Sequence, residues 1–255
     1  LEVLKRLEYR GYDSAGIATI DNGVLVRRRA VGKLINLSEL LVSNPISGRS
    51  GIGHTRWATH GAPTIVNSHP HQSGNSVAVV HNGIIENFFE LRSELLSTGV
   101  TFESDTDTEV ISHLVNSFIE KGDTPVAAVK NTIPLLKGAF ALCFLFSGED
   151  DLMIALRQGS PLAVGYGENE MFVGSDAIAL AILTEKISYL QEGDFAIIKR
   201  NSIKIKNHLG DSVKREIKKI DSSQVRSGKD GFKHFMLKEI FEQPEALSRI
   251  IGRYI

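Results

Sequence analysis

From Ala139 onward the chain is a succession of short apolar runs, at 139–146, 152–156, 162–165, 171–174 and 195–198, separated by Gly, Ser, Asp and Pro. Runs of that length and spacing read as strands joined by tight turns, an antiparallel meander, with one short helix near 177–183. The middle of the chain has a different texture. Its periodicity predicts helices over 86–97, 106–121 and 124–137. The second opens with Thr106-x-x-Glu109, the capping-box pattern, and ends at Gly122. Nearer the start, strand-like runs at Gly16–Asp21 and Val24–Ala30 flank Asn22-Gly23. That dipeptide is a hairpin signal, because both central positions of a type I′ turn need φ > 0. Leu34, Leu37, Leu40 and Leu41 mark one face of a helix, Gly51–Gly61 reads as a strand entering a loop, and Ser76–Val80 as a buried strand. Helices in the middle and strands at both ends predict an α+β layered fold, against an alternating parallel α/β fold.

Composition narrows the function classes. The 255 residues suffice for one large domain or two modest ones, with 42% hydrophobic and 23% charged residues in the globular range. Lys+Arg is 29 against Asp+Glu 30, so no basic excess points to nucleic acid. No apolar run approaches the ~20 residues of a membrane span. The single cysteine, Cys143, allows no intrachain disulfide, which fits a reducing, cytoplasmic setting for an enzyme. The stretch Asp211–Lys233 is polar and reads as a linker, and the tail becomes amphipathic again with a helix start at Pro244. The expected organisation is one domain over 1–222, a linker at 223–233, and at 234–255 the start of a second domain that the sequence does not complete.

Polar residues beside turn glycines are the candidates for chemistry. Arg56 lies among small neighbours, and its fork of donors suits a carboxylate or phosphate, or a structural ion pair. Asn82-Gly83 reads as a turn at a strand end, or as an oxyanion hole made of the Asn82 amide and the Gly83 N–H. Asp107 follows a capping threonine, where a carboxylate complements the helix dipole or holds a ligand's ammonium group. Trp57, the only tryptophan, reads as core or lid packing, or as a ligand platform. Five of eight histidines, His54, His60, His69, His71 and His81, fall within one stretch. They read as locally hydrogen-bonded residues or as a metal site, the latter without a His-Glu-x-x-His motif or a cysteine pair beside it. Cys143, apolar on both sides, reads as core. No phosphate-binding or dinucleotide loop and no Gly-x-Ser-x-Gly elbow is present, so no cofactor is expected.

Taken together, Leu7-Glu8-Tyr9-Arg10-Gly11-Tyr12-Asp13-Ser14-Ala15-Gly16, His54-Thr55-Arg56-Trp57-Ala58-Thr59-His60-Gly61, His81-Asn82-Gly83-Ile84-Ile85 and Thr106-Asp107-Thr108-Glu109 resemble the class II glutamine amidotransferases. Within that class the likeness is to the glutaminase part of the aminotransferases that act on fructose 6-phosphate. Lys238-Glu239-Ile240-Phe241-Glu242-Gln243-Pro244 looks like the entry into their sugar-phosphate isomerase part. The resemblance implies an N-terminal-nucleophile hydrolase fold, a four-layer αββα sandwich of two antiparallel sheets. It implies hydrolysis of L-glutamine by an N-terminal cysteine whose α-amino group serves as base. Asn82 and Gly83 would hold the oxyanion, Arg56 the α-carboxylate with Thr59 and His60 beside it, and Asp107 the α-amino group. Arg10 would lie near the nucleophile and Trp57 would gate the ammonia path. Ammonia would pass to fructose 6-phosphate in a second domain, through which the protein would form a homo-oligomer. The nucleophilic cysteine and its strand would lie ahead of Leu1, so the 255 residues alone are expected to hydrolyse no glutamine and to leave a strand edge unpaired. A glutamine-binding module without hydrolysis and a histidine-metal hydrolase are the alternatives.

Overall fold

The computed structural model describes residues 1–220 and 231–254; residues 223–230 of the expected linker lie outside the described residues. The chain divides into two compact units, Leu1–Ser222 and Ser223–Ile255. The first begins with α1 (Glu2–Leu7), a hairpin of β1 (Ser14–Asp21) and β2 (Val24–Val31), then α2 (Leu34–Ser43) and β3 (Ser50–Arg56). Next come β4 (His71–Ser73), β5 (Val77–Ile85), and the helices α3 (Phe88–Ser97), α4 (Asp107–Glu120) and α5 (Pro125–Thr132). The meander follows: β6 (Gly138–Phe146), β7 (Met153–Gln158), β8 (Ala163–Tyr166), β9 (Met171–Gly174), α6 (Ala177–Leu180) and β10 (Lys186–Tyr189). It closes with β11 (Phe195–Lys199), β12 (Ser202–Lys206), β13 (Ser212–Val213) and β14 (Lys218–Lys219).

The hairpin turns as its sequence demands, with Asn22 at φ 51 and Gly23 at φ 76 between the paired Asp21 and Val24. All strand pairs are antiparallel and form three sheets. The orders are β2-β1-β3, β14-β10-β8-β9 and β13-β12-β11-β7-β6-β5-β4.

Side-chain alternation along β6 explains the layering. Phe140, Leu142, Phe144 and Phe146 point to one face, where they join Leu91 and Leu95 of α3, Val110, Ile111 and Leu114 of α4, and Ala128 and Val129 of α5. The intervening Ala141, Cys143 and Leu145 point to the other face. There they meet Ala18, Ile20 and Ile52 of the three-stranded sheet and Val164 of the four-stranded sheet. Beyond those, Leu34 and Leu37 of α2 and Leu4 of α1 pack on Ala15 and Ala30, and Leu180 of α6 packs on Ala163 and Ile187. The first unit is therefore an α+β sandwich, helices outside and sheets within. Its second sheet layer consists of two hydrogen-bonded pieces, because among the described residues no ladder joins β3 to β9.

Several local expectations are corrected. Asn82-Gly83 is not a turn: both lie inside β5, which pairs with β6 from Val77↔Phe146 to Ile85↔Gly138. Thr106 stands at the N-cap of α4 without a side-chain bond to the helix. Its hydroxyl meets Ser104 Oγ at 2.9 Å and His71 Nε2 at 3.1 Å. Glu109 reaches past the cap to accept from the backbone N–H of Glu103 at 2.8 Å and of Ser104 at 2.7 Å. The polar stretch after Asp211 begins with β13 and β14, so its first residues extend two sheets.

In the second unit α7 (Phe235–Tyr254) runs through Pro244, which lies inside the helix and does not start it. Phe232 stacks on Phe241 with ring centroids 5.6 Å apart. No helix among the described residues is long and apolar enough to cross a membrane.

Candidate active site

The unpaired edges of β3 and β9 border a cavity of about 570 Å³, whose floor is formed by β5 and β6. One part of its wall is apolar, with Leu4, Leu7, Ile52, Val80 and Met171. The other is polar, and Arg10, Arg56, Trp57, Thr59, His60, Asn82, Gly83 and Asp107 all line it. Residues singled out from four separate segments of sequence thus converge on one space.

Arg56 ends β3 and is buried. Its Nη1 donates to Ala62 O at 3.2 Å and its Nη2 to Gly61 O at 3.1 Å and to His60 O. The guanidinium therefore shapes the loop that carries Thr59 and His60. Burial lowers its pKa, and the carboxylates of Asp13 and Asp107 oppose that shift. Asp13 in turn accepts from the backbone N–H of Ala58 at 2.7 Å. Trp57 is 57% exposed and meets Tyr12 edge-on, centroids 5.6 Å apart, so it stands at the cavity's rim and not in the core. His60 packs its ring against Phe88 at 5.0 Å.

Asp107 begins α4 and is buried. Its Oδ2 accepts from the backbone N–H of Ile85 at 2.9 Å, which ties the helix start to the end of β5. Thr108 donates its hydroxyl to Asp107 Oδ1 at 3.4 Å. The same hydroxyl oxygen lies 2.9 Å from His69 Nε2 and 3.0 Å from His81 Nδ1, so both imidazoles donate to it. His81 Nδ1 is also 3.8 Å from Asp107 Oδ2. Burial pushes His81 down to about 4 and His71 down to about 3. His69, His71 and His81 are neutral hydrogen-bonding groups of the interior. Among the described residues no three His, Cys, Asp or Glu are placed to hold a metal ion.

Asn82 and Gly83 are exposed to the cavity. Gly83 has φ +128, and a Cβ there would lie 2.0 Å from Ala139 O of β6, so only glycine lets the strand continue through the site. Arg10 lines the cavity with its guanidinium paired to Asp176 and its Nε donating to Tyr9 Oη at 2.8 Å. Asp176 also caps α6 through Ile178 N at 3.0 Å. Cys143 reaches the cavity wall, yet burial pushes its thiol up to about 12, which leaves it unreactive.

Sequence reasoning missed the part that two residues play. His54 donates from Nε2 to Asn82 Oδ1 at 2.8 Å, and Thr108 is the acceptor shared by His69 and His81. The sequence offered His54 as one of five clustered histidines and Thr108 within a helix-start motif, without their partners.

This arrangement, with a polar pocket between stacked antiparallel sheets, defines a class. The fold is that of the amidotransferases with an N-terminal-nucleophile hydrolase architecture. Residues 60–181 match the glutamine amidotransferase domain family. The fold is similar to that of the glutamine phosphoribosylpyrophosphate amidotransferase of B. subtilis, with TM-score 0.69 and 26% identity over 81% of this chain and 45% of that one. Within the class, the chain is homologous to the glutaminase half of glutamine–fructose-6-phosphate aminotransferase (isomerizing). It is 56% identical to that enzyme of Brucella abortus and 54% identical to that of Bradyrhizobium diazoefficiens, over all of this chain in both cases. The chain spans 42% of the length of these relatives.

Proposed function

We propose that this chain supplies ammonia from L-glutamine, as the glutaminase part of a cytoplasmic enzyme that converts fructose 6-phosphate to glucosamine 6-phosphate. The observation that carries the reading is the convergence of Arg56, Asp107 and Asn82-Gly83 on one cavity. An amino-acid ligand with a side-chain amide needs one cation, one anion and one set of oxyanion donors, and these residues supply them. Arg56 and the loop it shapes, with Thr59 and His60, would take the α-carboxylate, and Asp107 the α-ammonium group. The Asn82 amide and the Gly83 N–H would receive the oxyanion formed when a thiolate adds to the amide carbon. Collapse of that adduct breaks the C–N bond and, with one proton delivered to nitrogen, releases ammonia. The resulting thioester is hydrolysed by water to glutamate.

The nucleophile in this reading is an N-terminal cysteine outside the 255 residues, and the buried, high-pKa thiol of Cys143 does not replace it. Two open strand edges facing the cavity, on β3 and β9, support the placement of a cysteine-bearing strand between them. Arg10 and Trp57, at the cavity's margin, would lie beside that nucleophile and the ammonia exit. Residues 1–222 would form the glutaminase, 223–233 a linker, and 234–255 the start of the isomerase part, through which the whole enzyme would oligomerise.

The test is glutamate release from L-glutamine by these residues preceded by the cysteine-bearing segment, and by the 255 residues alone. The first is expected to hydrolyse and the second not. Release by neither, or equal release by both, would overturn the proposal.

A further inference from the structure

An oxyanion hole built from a side-chain amide works only if the amide presents its nitrogen. An inverted Asn82 would turn an acceptor oxygen toward the developing negative charge. What sets the orientation lies on another sheet. His54 of β3 places Nε2 2.8 Å from Asn82 Oδ1 of β5. Because Oδ1 can only accept, Nε2 carries the hydrogen and Nδ1 keeps its lone pair. His54 Nδ1 is buried and has no hydrogen-bond partner. The ring is further held by His69, whose centroid is 4.2 Å away, and burial keeps it neutral by pushing it down to about 4. With Oδ1 occupied, the Asn82 amino group is the end left to face the cavity.

Resting on the function proposed above, we infer that His54 is a positioning residue for amide hydrolysis. Its Nε2–H fixes Asn82 with the amino end toward the substrate carbonyl, and it acts through Asn82.

The test uses the full-length protein with its N-terminal cysteine. His54→Phe, which keeps the ring and removes the donor, is expected to lower kcat about 10- to 100-fold, with KM for glutamine within about threefold. His54→Gln, which can offer an N–H near the same place, restores most of kcat. In an Asn82→Ala background His54→Phe costs less than about threefold, because the residue it serves is gone. Equal losses in both backgrounds, or a change in KM alone, would overturn the inference. A second measurement does not need activity. In the 255-residue chain, 15N NMR of the His54 imidazole at pH 7 should show the neutral Nε2–H tautomer, and a hydrogen on Nδ1 would refute the arrangement. If the unsubstituted enzyme releases no glutamate, the proposed function fails and the catalytic role of His54 fails with it. If it hydrolyses glutamine and His54→Phe is unaffected, only this inference fails.

Discussion

Lowering the pH from 8 to 5 offers protons to four interior imidazoles, His54, His69, His71 and His81, that the folded chain keeps neutral. His71, His69 and His81 are 2%, 7% and 4% exposed. Burial is the largest cause of each shift: His71 falls to about 3, with Arg29 adding to it, and His81 to about 4, with Asp107 opposing it. His69 falls well below its ordinary value, through burial and then through the neighbouring His54, His71 and His81. Unfolded imidazoles titrate near 6.5. Below that pH the unfolded chain binds protons that the folded chain does not. The stability these groups contribute is therefore complete above pH 6.5 and is lost as the pH falls toward 4. At pH 5 His71, His81 and His54, the last also held at about 4 by burial, have each cost about 2 kcal/mol, about 6 kcal/mol together, and His69 adds to the loss in the same direction. Set against a total of about 5–15 kcal/mol for a typical domain, that loss brings the molecule near its unfolding threshold. Urea unfolding followed by circular dichroism at pH 8, 7, 6 and 5 should show it, with an uptake of about four protons at pH 5. His69→Gln should flatten the slope. A change below about 2 kcal/mol between pH 8 and 5, or a slope untouched by His69→Gln, would refute the account of these histidines as neutral interior groups. Glu109 adds a second, lower phase. Burial raises its pKa, but hydrogen bonds from His113, Ser104 and the backbone N–H groups of Glu103 and Ser104 outweigh that and hold it at about 2. Its contribution is lost as the pH falls from about 4.5 toward 2.

Two further outcomes bear on the site. Asp107→Asn keeps an acceptor for the Ile85 N–H but removes the charge proposed to hold the substrate's ammonium group. KM for glutamine should rise about 10- to 100-fold with a much smaller change in kcat, and an unchanged KM would take Asp107 out of that role. Cys143, buried with its thiol near 12, should resist an aromatic disulfide reagent at pH 8 in the folded chain and react once in denaturant. Rapid labelling of the folded chain would contradict the packing of β6.

Local signals carried much of the architecture. The Asn22-Gly23 turn needed no tertiary information, because its backbone requirement is met by those two residues. Most of the meander was visible because β6, β7, β8 and β11 bury short apolar runs, whereas β10, Lys186–Tyr189, carries none. β4, with His71, Gln72 and Ser73, lacks such a run and exists by pairing with β5, so its sequence does not announce a strand. β5 shows the opposite failure. Asn-Gly usually marks a turn, but here nine consecutive partners on β6 carry the strand through it, and glycine is required by the approach of Ala139 O. The eight candidate residues that line the cavity were recognisable through the amidotransferase-like motifs that contain them, and Arg56 and Asp107 also through their charge. The bond between His54 and Asn82 joins residues 28 apart on different sheets, and no local pattern encodes it.

The inner face of the seven-stranded sheet carries alanines in neighbouring strands, and they are small for different reasons. Ala155 of β7 is fully buried opposite Cys143, in the seam between the sheets, where an added methyl group would have to displace a neighbour. Ala141 of β6 faces the same way but borders the cavity, where growth would meet empty space. A larger residue at 155 would reveal itself as lost stability. At 141 it would leave the scaffold intact and shrink the room available to a ligand. Bulk on one face of one sheet is thus limited by the fold in one strand and by the guest in the next.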